Sequence, residues 1–235
     1  MSIHNNPSAR FQRQTLATQV YEYLKEMIML NELPGGTRLN EAELGSKLSV
    51  SPTPIREAVN KLRGEGLVMS DSWKGSRVRE LSDRDVLQIL DLRRVLEIHA
   101  LEKVVDGISH DDLAWLTHNQ QEYEAAYTRT PPDRRKAAQI NADFHLFSAR
   151  KANNPWLTSL LERQTDFLHV ARAPITQKSD GSISIKEHAA IVEALTNGDS
   201  RDAVLLLEDH LVRVADDLIA LRRSITDAGD ERNEA

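Results

Sequence analysis

Apolar side chains recur at Leu16, Val20, Tyr23, Leu24, Met27, Ile28 and Leu30, a spacing that places them on one face of a helix from Thr15 to Leu33. Pro34, Gly35 and Gly36 stop that helix. Asn40 caps a short second helix, with Glu43 three residues on as its capping-box partner and Leu44 and Leu48 as its inner face. Ser49-Val50 turns the chain into a third helix, capped by Ser51 or Thr53. Its prolines, Pro52 and Pro54, fall in the first turn, where a missing N–H breaks no ladder bond. Ile55, Ala58, Val59 and Leu62 follow at i, i+3, i+4 and i+7 and face inward, leaving Thr53, Arg56, Glu57 and Asn60 on the opposite face. Gly64 and Gly66 close the helix. Leu67-Val68-Met69 and Arg77-Val78-Arg79 then read as two short strands, joined at a tip around Trp73-Lys74-Gly75.

From Ser82 onward no strand pattern appears. Six stretches read as helices, at about 82–107, 109–128, 133–152, 155–174, 184–197 and 200–224, the first capped by Ser82 with Asp85. The predicted protein is mainly α. A flexible arm over 1–14 leads into a winged helix-turn-helix with a two-stranded wing over 15–80, an all-α antiparallel bundle over 81–226 and a disordered tail over 227–235. In such a head the polar face of the third helix, with Arg56 and Asn60, can enter a major groove. The tip, with Lys74 and Gly75, can approach the adjacent backbone closely because glycine has no side chain to collide. A small helical domain with an idle hairpin fits the same pattern.

Charge sharpens this division. The 235 residues carry a formal net charge of −6, which taken alone argues against nucleic acid. Residues 1–80, however, carry a balance of +2 and residues 81–235 one of −8, and between Pro52 and Arg79 six basic side chains face three acidic ones. The absence of cysteine excludes a disulfide scaffold, an iron–sulfur cluster, a thiolate zinc site and a cysteine nucleophile. No apolar run approaches the roughly 18–20 residues that span a bilayer, and the first residues are polar, so a soluble cytoplasmic protein with no membrane partner is expected.

The string from Gln19 to Val68 resembles the DNA-binding domain of the GntR family of bacterial transcription regulators. The carriers are Pro34-Gly35 with Leu39, Glu41 with Leu44 and Leu48, Ser51 with Thr53-Pro54-Ile55-Arg56-Glu57-Ala58, and Leu62 with Glu65-Gly66-Leu67. The family usually has an arginine between that serine and threonine, and this chain has Pro52. The resemblance therefore implies DNA contacts by Ser51, as a phosphate donor, and by Thr53, Arg56, Asn60 and the wing residues Lys74, Gly75 and Arg77. Arg56 either reads a guanine or holds a phosphate.

Of the eight histidines, three fall in a pattern. Asn141 and His145 are i, i+4 on one helix and share a face, His188 lies early in the next-to-last helix, and His210 follows 22 positions later. Antiparallel helices can bring such positions to one level. The stretches DLRRVLEIHALEKV, INADFHLFSARKANNPWL and SIKEHAAIVEALTNGDSRDAVLLLEDHL resemble the helical effector-binding domain, FCD, of the FadR subfamily. That resemblance implies a divalent metal held by Asn141, His145, His188 and His210, with zinc, nickel, iron or manganese suiting three imidazoles and an amide. Asp143 at i+2 points roughly 200° away from Asn141 and is no substitute.

Arg93 matches the arginine of the family's Arg-x-x-Leu-Glu stretch and is expected either to grip an effector carboxylate, with Glu97 orienting it, or to form a structural ion pair. His169 and Arg172 line the pocket or the surface. These readings converge on a homodimeric, non-enzymatic transcription regulator, a repressor, acting on a pseudo-palindromic double-stranded operator and responsive to a small organic acid. A metal-free polar pocket is the alternative. A metal-dependent hydrolase with a nucleic-acid-binding appendage is a remoter one, since no carboxylate matches the general base it needs.

Overall fold

The computed structural model of the protein describes residues 15–71, 75–172 and 181–233, with side chains to residue 224. The chain divides into two units, residues 1–81 and 82–235, each treated by itself. The expected arm over 1–14 and the wing residues Trp73 and Lys74 lie outside the described residues.

In the first unit α1 spans Leu16–Met29, with the Thr15 hydroxyl accepting from the Thr18 N–H at 3.1 Å. Val20, Tyr21, Leu24 and Ile28 are buried. The helix ends four residues before the predicted Leu33. Asn31 adopts φ +60°, which asparagine tolerates, and the N–H groups of Glu32 and Leu33 fold back onto the Met27 carbonyl at 2.9 and 3.0 Å. Pro34-Gly35 thus marks the following turn. At Gly35 a Cβ would come within 3.1 Å of the Glu80 backbone, so a larger residue would push the neighbouring backbone by a few tenths of an ångström.

α2 spans Glu41–Leu48 and α3 spans Pro52–Glu65. Asn40 caps α2 as predicted, accepting from the Ala42 and Glu43 N–H groups, but Glu43 pairs with Lys47 at 2.8 Å instead of closing the box. Ile55, Ala58, Val59 and Leu62 of α3 are all buried, as their spacing required, and α1 packs against this helix. Across that contact the Tyr21 hydroxyl donates to Glu65 at 2.7 Å, and the Lys61 ammonium lies 3.6 Å from the Tyr21 ring centre.

The wing differs from expectation by a strand. β1 (Arg38–Leu39), β2 (Val68–Asp71) and β3 (Gly75–Val78) form an antiparallel sheet in the order β1-β3-β2, with Arg38 opposite Arg77. A two-residue strand carries no alternation to detect. It is aimed by the preceding turn, where the Gly36 N–H reaches the Val78 carbonyl at 3.0 Å.

The second unit is helical. α4 (Asp83–Val104), α5 (His110–Thr128), α6 (Arg134–Lys151), α7 (Pro155–Arg172), α8 (Ser182–Asn197) and α9 (Ser200–Asn233) follow the six predicted stretches. Ser82 with Asp85 and Ser109 with Asp112 form complete capping boxes. The backbone of α9 runs on to Asn233, past Asp227, where a disordered tail was expected; Ala, Glu and Arg in that segment are good helix formers. α4 packs on α6, α7 and α9, α5 on α6 and α8, and α8 on α9. Leu101, Leu116, Phe144, Ile191, Leu195, Leu207 and Leu211 make the main core of this unit, and a second cluster joins Ala100, Leu146, Leu157 and Leu161. Among the described residues no helix is long and apolar enough to cross a membrane.

Candidate nucleic-acid interface and candidate metal centre

Burying Ile55, Ala58, Val59 and Leu62 turns Thr53, Arg56, Glu57 and Asn60 outward, and all four are exposed. Arg56 is tethered at its base, its Nε donating to Glu41 on α2 at 3.2 Å. Asn60 accepts from Arg63 at 2.6 Å, and Arg63 also donates to the Ser76 hydroxyl at 2.8 Å, tying α3 to β3. Ser51 occupies the N-cap of α3 with no side-chain capping bond, so its hydroxyl faces solvent. Gly75 has φ +86° and open space where a Cβ would stand; its requirement is conformational, not steric. Arg77 is half-buried and donates to the Gly36 carbonyl at 2.9 Å, bracing the wing against the preceding turn.

In the second unit the three patterned histidines meet. His145 on α6, His188 on α8 and His210 on α9 are all buried, and their ligand nitrogens lie within 4.8 Å of one another. His210 Nε2 is 3.2 Å from His188 Nε2 and 3.4 Å from His145 Nε2. Nitrogens bound tetrahedrally at 2.0–2.1 Å to one ion stand about 3.3 Å apart, so the spacing fits a shared cation. Burial, followed by the positive charge of neighbouring arginines and imidazoles, holds His145 and His188 well below the ordinary histidine range. Burial lowers His210 as well, against the opposing pull of Glu187. All three are thus neutral imidazoles, the form that ligates metal.

Hydrogen bonds on the far side of two rings set their tautomers. His145 Nδ1 lies 2.7 Å from Glu97 Oε2, and His210 Nδ1 lies 2.6 Å from Glu187 Oε2. A carboxylate accepts, so both hydrogens sit on Nδ1 and both Nε2 atoms carry lone pairs. The His145–His210 contact therefore sets two lone pairs against each other, which a cation between them resolves. His188 is placed otherwise, stacked between Phe144 (centroids 4.1 Å apart) and Tyr123 (5.3 Å), with its Nδ1 buried and unpaired.

Of the remaining predicted residues, Asn141 stands one turn before His145 and is half-buried. Asp143 points elsewhere and accepts from Arg150 at 2.9 Å. Arg93 is buried and forms an ion pair with buried Glu97, one turn on, which also takes the His145 bond. Burial pushes the Glu97 carboxyl up and Arg93 pulls it back. Arg93 Nη2 is buried without a partner. The charge of Arg172, half-buried at the end of α7, reaches His145, His188 and Glu97, while burial and then Arg93 lower its own pKa to about 10. His169, half-buried one turn earlier, is not among the converging imidazoles.

Sequence reasoning missed Glu187, Arg213 and the Phe144–Tyr123 clamp. Burial would raise the Glu187 pKa, but hydrogen bonds from Arg213 and His210 outweigh it and hold the carboxyl below its usual range. Glu187 adjoins His188, and neighbours on a helix point about 100° apart. Its tie to His210 appears only once α8 and α9 are packed.

A winged helix-turn-helix with an exposed polar third helix, in a chain that also carries a separate helical unit, is the architecture of a DNA-binding regulator. The family comparisons give the particular assignment. Residues 16–78 match the model of the bacterial regulatory proteins of the gntR family, and residues 88–213 match the FCD domain. The chain is 32% identical over 176 residues to the HTH-type transcriptional regulator YdhC of Bacillus subtilis (strain 168), spanning 74% of this chain and 78% of that protein. It is 31% identical over 214 residues to a probable D-xylose utilization operon transcriptional repressor of Paenarthrobacter nicotinovorans, spanning 87% and 89%. The solved structure of E. coli McbR/YncC superposes with a TM-score of 0.74 at 22% identity, covering 88% of this chain and 98% of that one, which establishes the fold. The chain belongs to the GntR family and carries an FCD domain. It is a DNA-binding transcription regulator.

Proposed function

We propose that the protein is a metal-containing, metabolite-responsive repressor that works as a homodimer on a pseudo-palindromic operator. The observation that carries the metal is the His145–His210 contact, where two Nε2 lone pairs face each other because Glu97 and Glu187 hold the hydrogens on the opposite nitrogens. His145, His188 and His210 hold the ion, with Asn141 one turn away as a neutral oxygen donor. When bound by these residues, a divalent ion would supply Lewis-acid polarisation toward a ligand carboxylate.

The effector is a small organic acid. Arg93 keeps its Nε on Glu97 and has Nη2 buried and unpaired, which gives a carboxylate a charge-assisted partner. Arg172, His169 and Glu97 complete the pocket. Ser51, Thr53, Arg56 and Asn60, with the wing residues Lys74, Gly75 and Arg77, contact DNA. Homodimer formation is supported by exposed Leu92 and Val95 on α4 and by Trp156, 80% exposed, with Leu160 on α7, the helix that packs on α4. Two heads related by a two-fold axis read a two-fold operator. The acid releases the operator only in so far as its affinity differs between the DNA-bound and free arrangements of the protein.

Untagged protein, purified without chelator, is expected to carry stoichiometric metal by elemental analysis and to lose it in His145→Ala. A thermal-shift screen of carboxylates is expected to give a hit that chelator abolishes. Metal absent from wild type, or content unchanged in His145→Ala, overturns the metal; the metal-free polar pocket then stands, favoured by the 3.2 Å His188–His210 contact, which a proton on His188 Nε2 satisfies. A labelled upstream intergenic fragment bound no better than random DNA overturns the regulator's operator role.

A further inference from the structure

Two of the three converging imidazoles are each backed by a carboxylate that an arginine holds in place. One chain runs Arg93–Glu97–His145, the other Arg213–Glu187–His210. The second reaches outside the pocket predicted from sequence. Glu187 Oε2 accepts from His210 Nδ1 at 2.6 Å and from Arg213 Nη2 at 2.6 Å, and its Oε1 accepts from Arg213 Nε at 2.5 Å. Arg213 is itself pinned, donating to the Ser184 hydroxyl at 3.1 Å and to Asp217 at 2.5 Å. The fork of Arg213 fixes the carboxylate in two directions and leaves one lone pair directed at the His210 ring.

His210 is the hub of the centre, since its Nε2 is the atom within 3.2 Å of His188 and 3.4 Å of His145. Were its hydrogen on Nε2, that hydrogen would occupy the space the three nitrogens share. We infer that Glu187, anchored by Arg213, is a positioning residue that fixes His210 in the Nδ1–H tautomer and presents its Nε2 to the ion shared with His145 and His188. The inference rests on the metal reading above and adds the residue pair that prepares the site. Nothing else in the described contacts takes its place, because His188 meets His210 at Nε2, on the other side of the ring, and Glu97 is engaged with His145. Partners of this kind behind a ligand typically change metal affinity 10–100-fold when removed.

Full-length, metal-stripped protein labelled with 15N-histidine separates the tautomer from the metal. The His210 ring, assigned by its loss in His210→Gln, is expected to show a protonated Nδ1 and a pyridine-like Nε2. Glu187→Leu is expected to move the ring to the Nε2–H form or a mixture, and Arg213→Met to do so partly. In zinc titrations against a chromophoric chelator Glu187→Leu is expected to bind 10–100-fold more weakly than wild type, with unchanged far-UV circular dichroism. Should Glu187→Leu unfold, Arg213→Met carries the same two measurements. A wild-type His210 protonated on Nε2 overturns the inference, as does a variant that keeps both the Nδ1–H ring and the wild-type zinc affinity. Wild-type protein that takes up no zinc overturns the metal reading, while the tautomer, read without metal, still judges Glu187.

Discussion

Arg56 in the head and Arg93 in the body each pair with a glutamate, under opposite conditions. The Arg56–Glu41 side chains are 64% and 32% exposed; those of Arg93–Glu97 are 3% and 3% exposed. An exposed pair is screened by water and contributes little to folding, so its arginine can exchange the glutamate for a phosphate or a base edge at small cost. A buried pair holds two desolvated charges that depend on each other, and removing either partner strands the other. The head thus keeps its chemistry on the surface, where a large anionic ligand can reach it, and the body keeps its own inside, where a small ligand must enter.

The sharpest way to break this comparison is to delete one member of each pair. Arg93→Met is expected to destabilise the metal-free protein by about 3–5 kcal/mol in denaturant unfolding, because buried Glu97 loses its counter-charge. Arg56→Ala should cost less than about 1 kcal/mol of stability. Equal losses at the two sites would show that burial does not separate them.

Acidification is expected to act next most strongly, and again on the body alone. Burial depresses the pKa values of His145, His188 and His210 in the folded state. The unfolded chain, with ordinary histidines near pH 6.5, therefore binds more protons below that point. The contribution to stability is complete above about pH 6.5 and is lost as pH falls from there toward the lower folded values. Residues 15–81 contain no histidine, so the head has none of this dependence. Calorimetry in chelator from pH 7.5 to 5.5 should show the unfolding temperature falling, and falling less in His188→Gln; a flat or rising profile would refute the buried neutral cluster.

At the DNA surface the effects are smaller in stability and appear in binding. Arg56→Ala should weaken operator binding by about 1–3 kcal/mol and, if Arg56 sits on a phosphate, reduce the slope of log K against log salt by about one. An unchanged slope with lost discrimination at one base pair would mark Arg56 as a base reader instead.

Most of this architecture was legible in the chain, and the gaps have physical causes. The inner face of α3 follows from four apolar residues at helical spacing, and the Ser82 cap from Asp85 three residues on. Such signals are local. The three histidines are legible only through the resemblance to the FCD domain, since nothing in their own spacing requires that α6, α8 and α9 bring them to one level. Arg213 lies 26 residues from Glu187, and that contact depends on how α8 and α9 are rotated against each other. β1 escaped because two residues cannot show a period, and the end of α1 because asparagine takes a left-handed turn that glycine usually marks.

The finest distinction concerns two N-caps within the head. Asn40 accepts from the N–H groups of Ala42 and Glu43, whereas Ser51, at the equivalent position of α3, makes no side-chain capping bond. Asn40→Ala should therefore cost about 1 kcal/mol of stability. Ser51→Ala should cost less than about 0.5 kcal/mol, within the range of surface substitutions that disturb no structural feature. If Ser51 donates its hydroxyl to a phosphate, the same variant should still weaken binding to operator and random DNA alike, because a backbone contact carries no sequence information. A Ser51→Ala protein destabilised as much as Asn40→Ala, with unchanged DNA affinity, would make Ser51 a capping residue and leave Thr53, Arg56 and Asn60 to hold the groove.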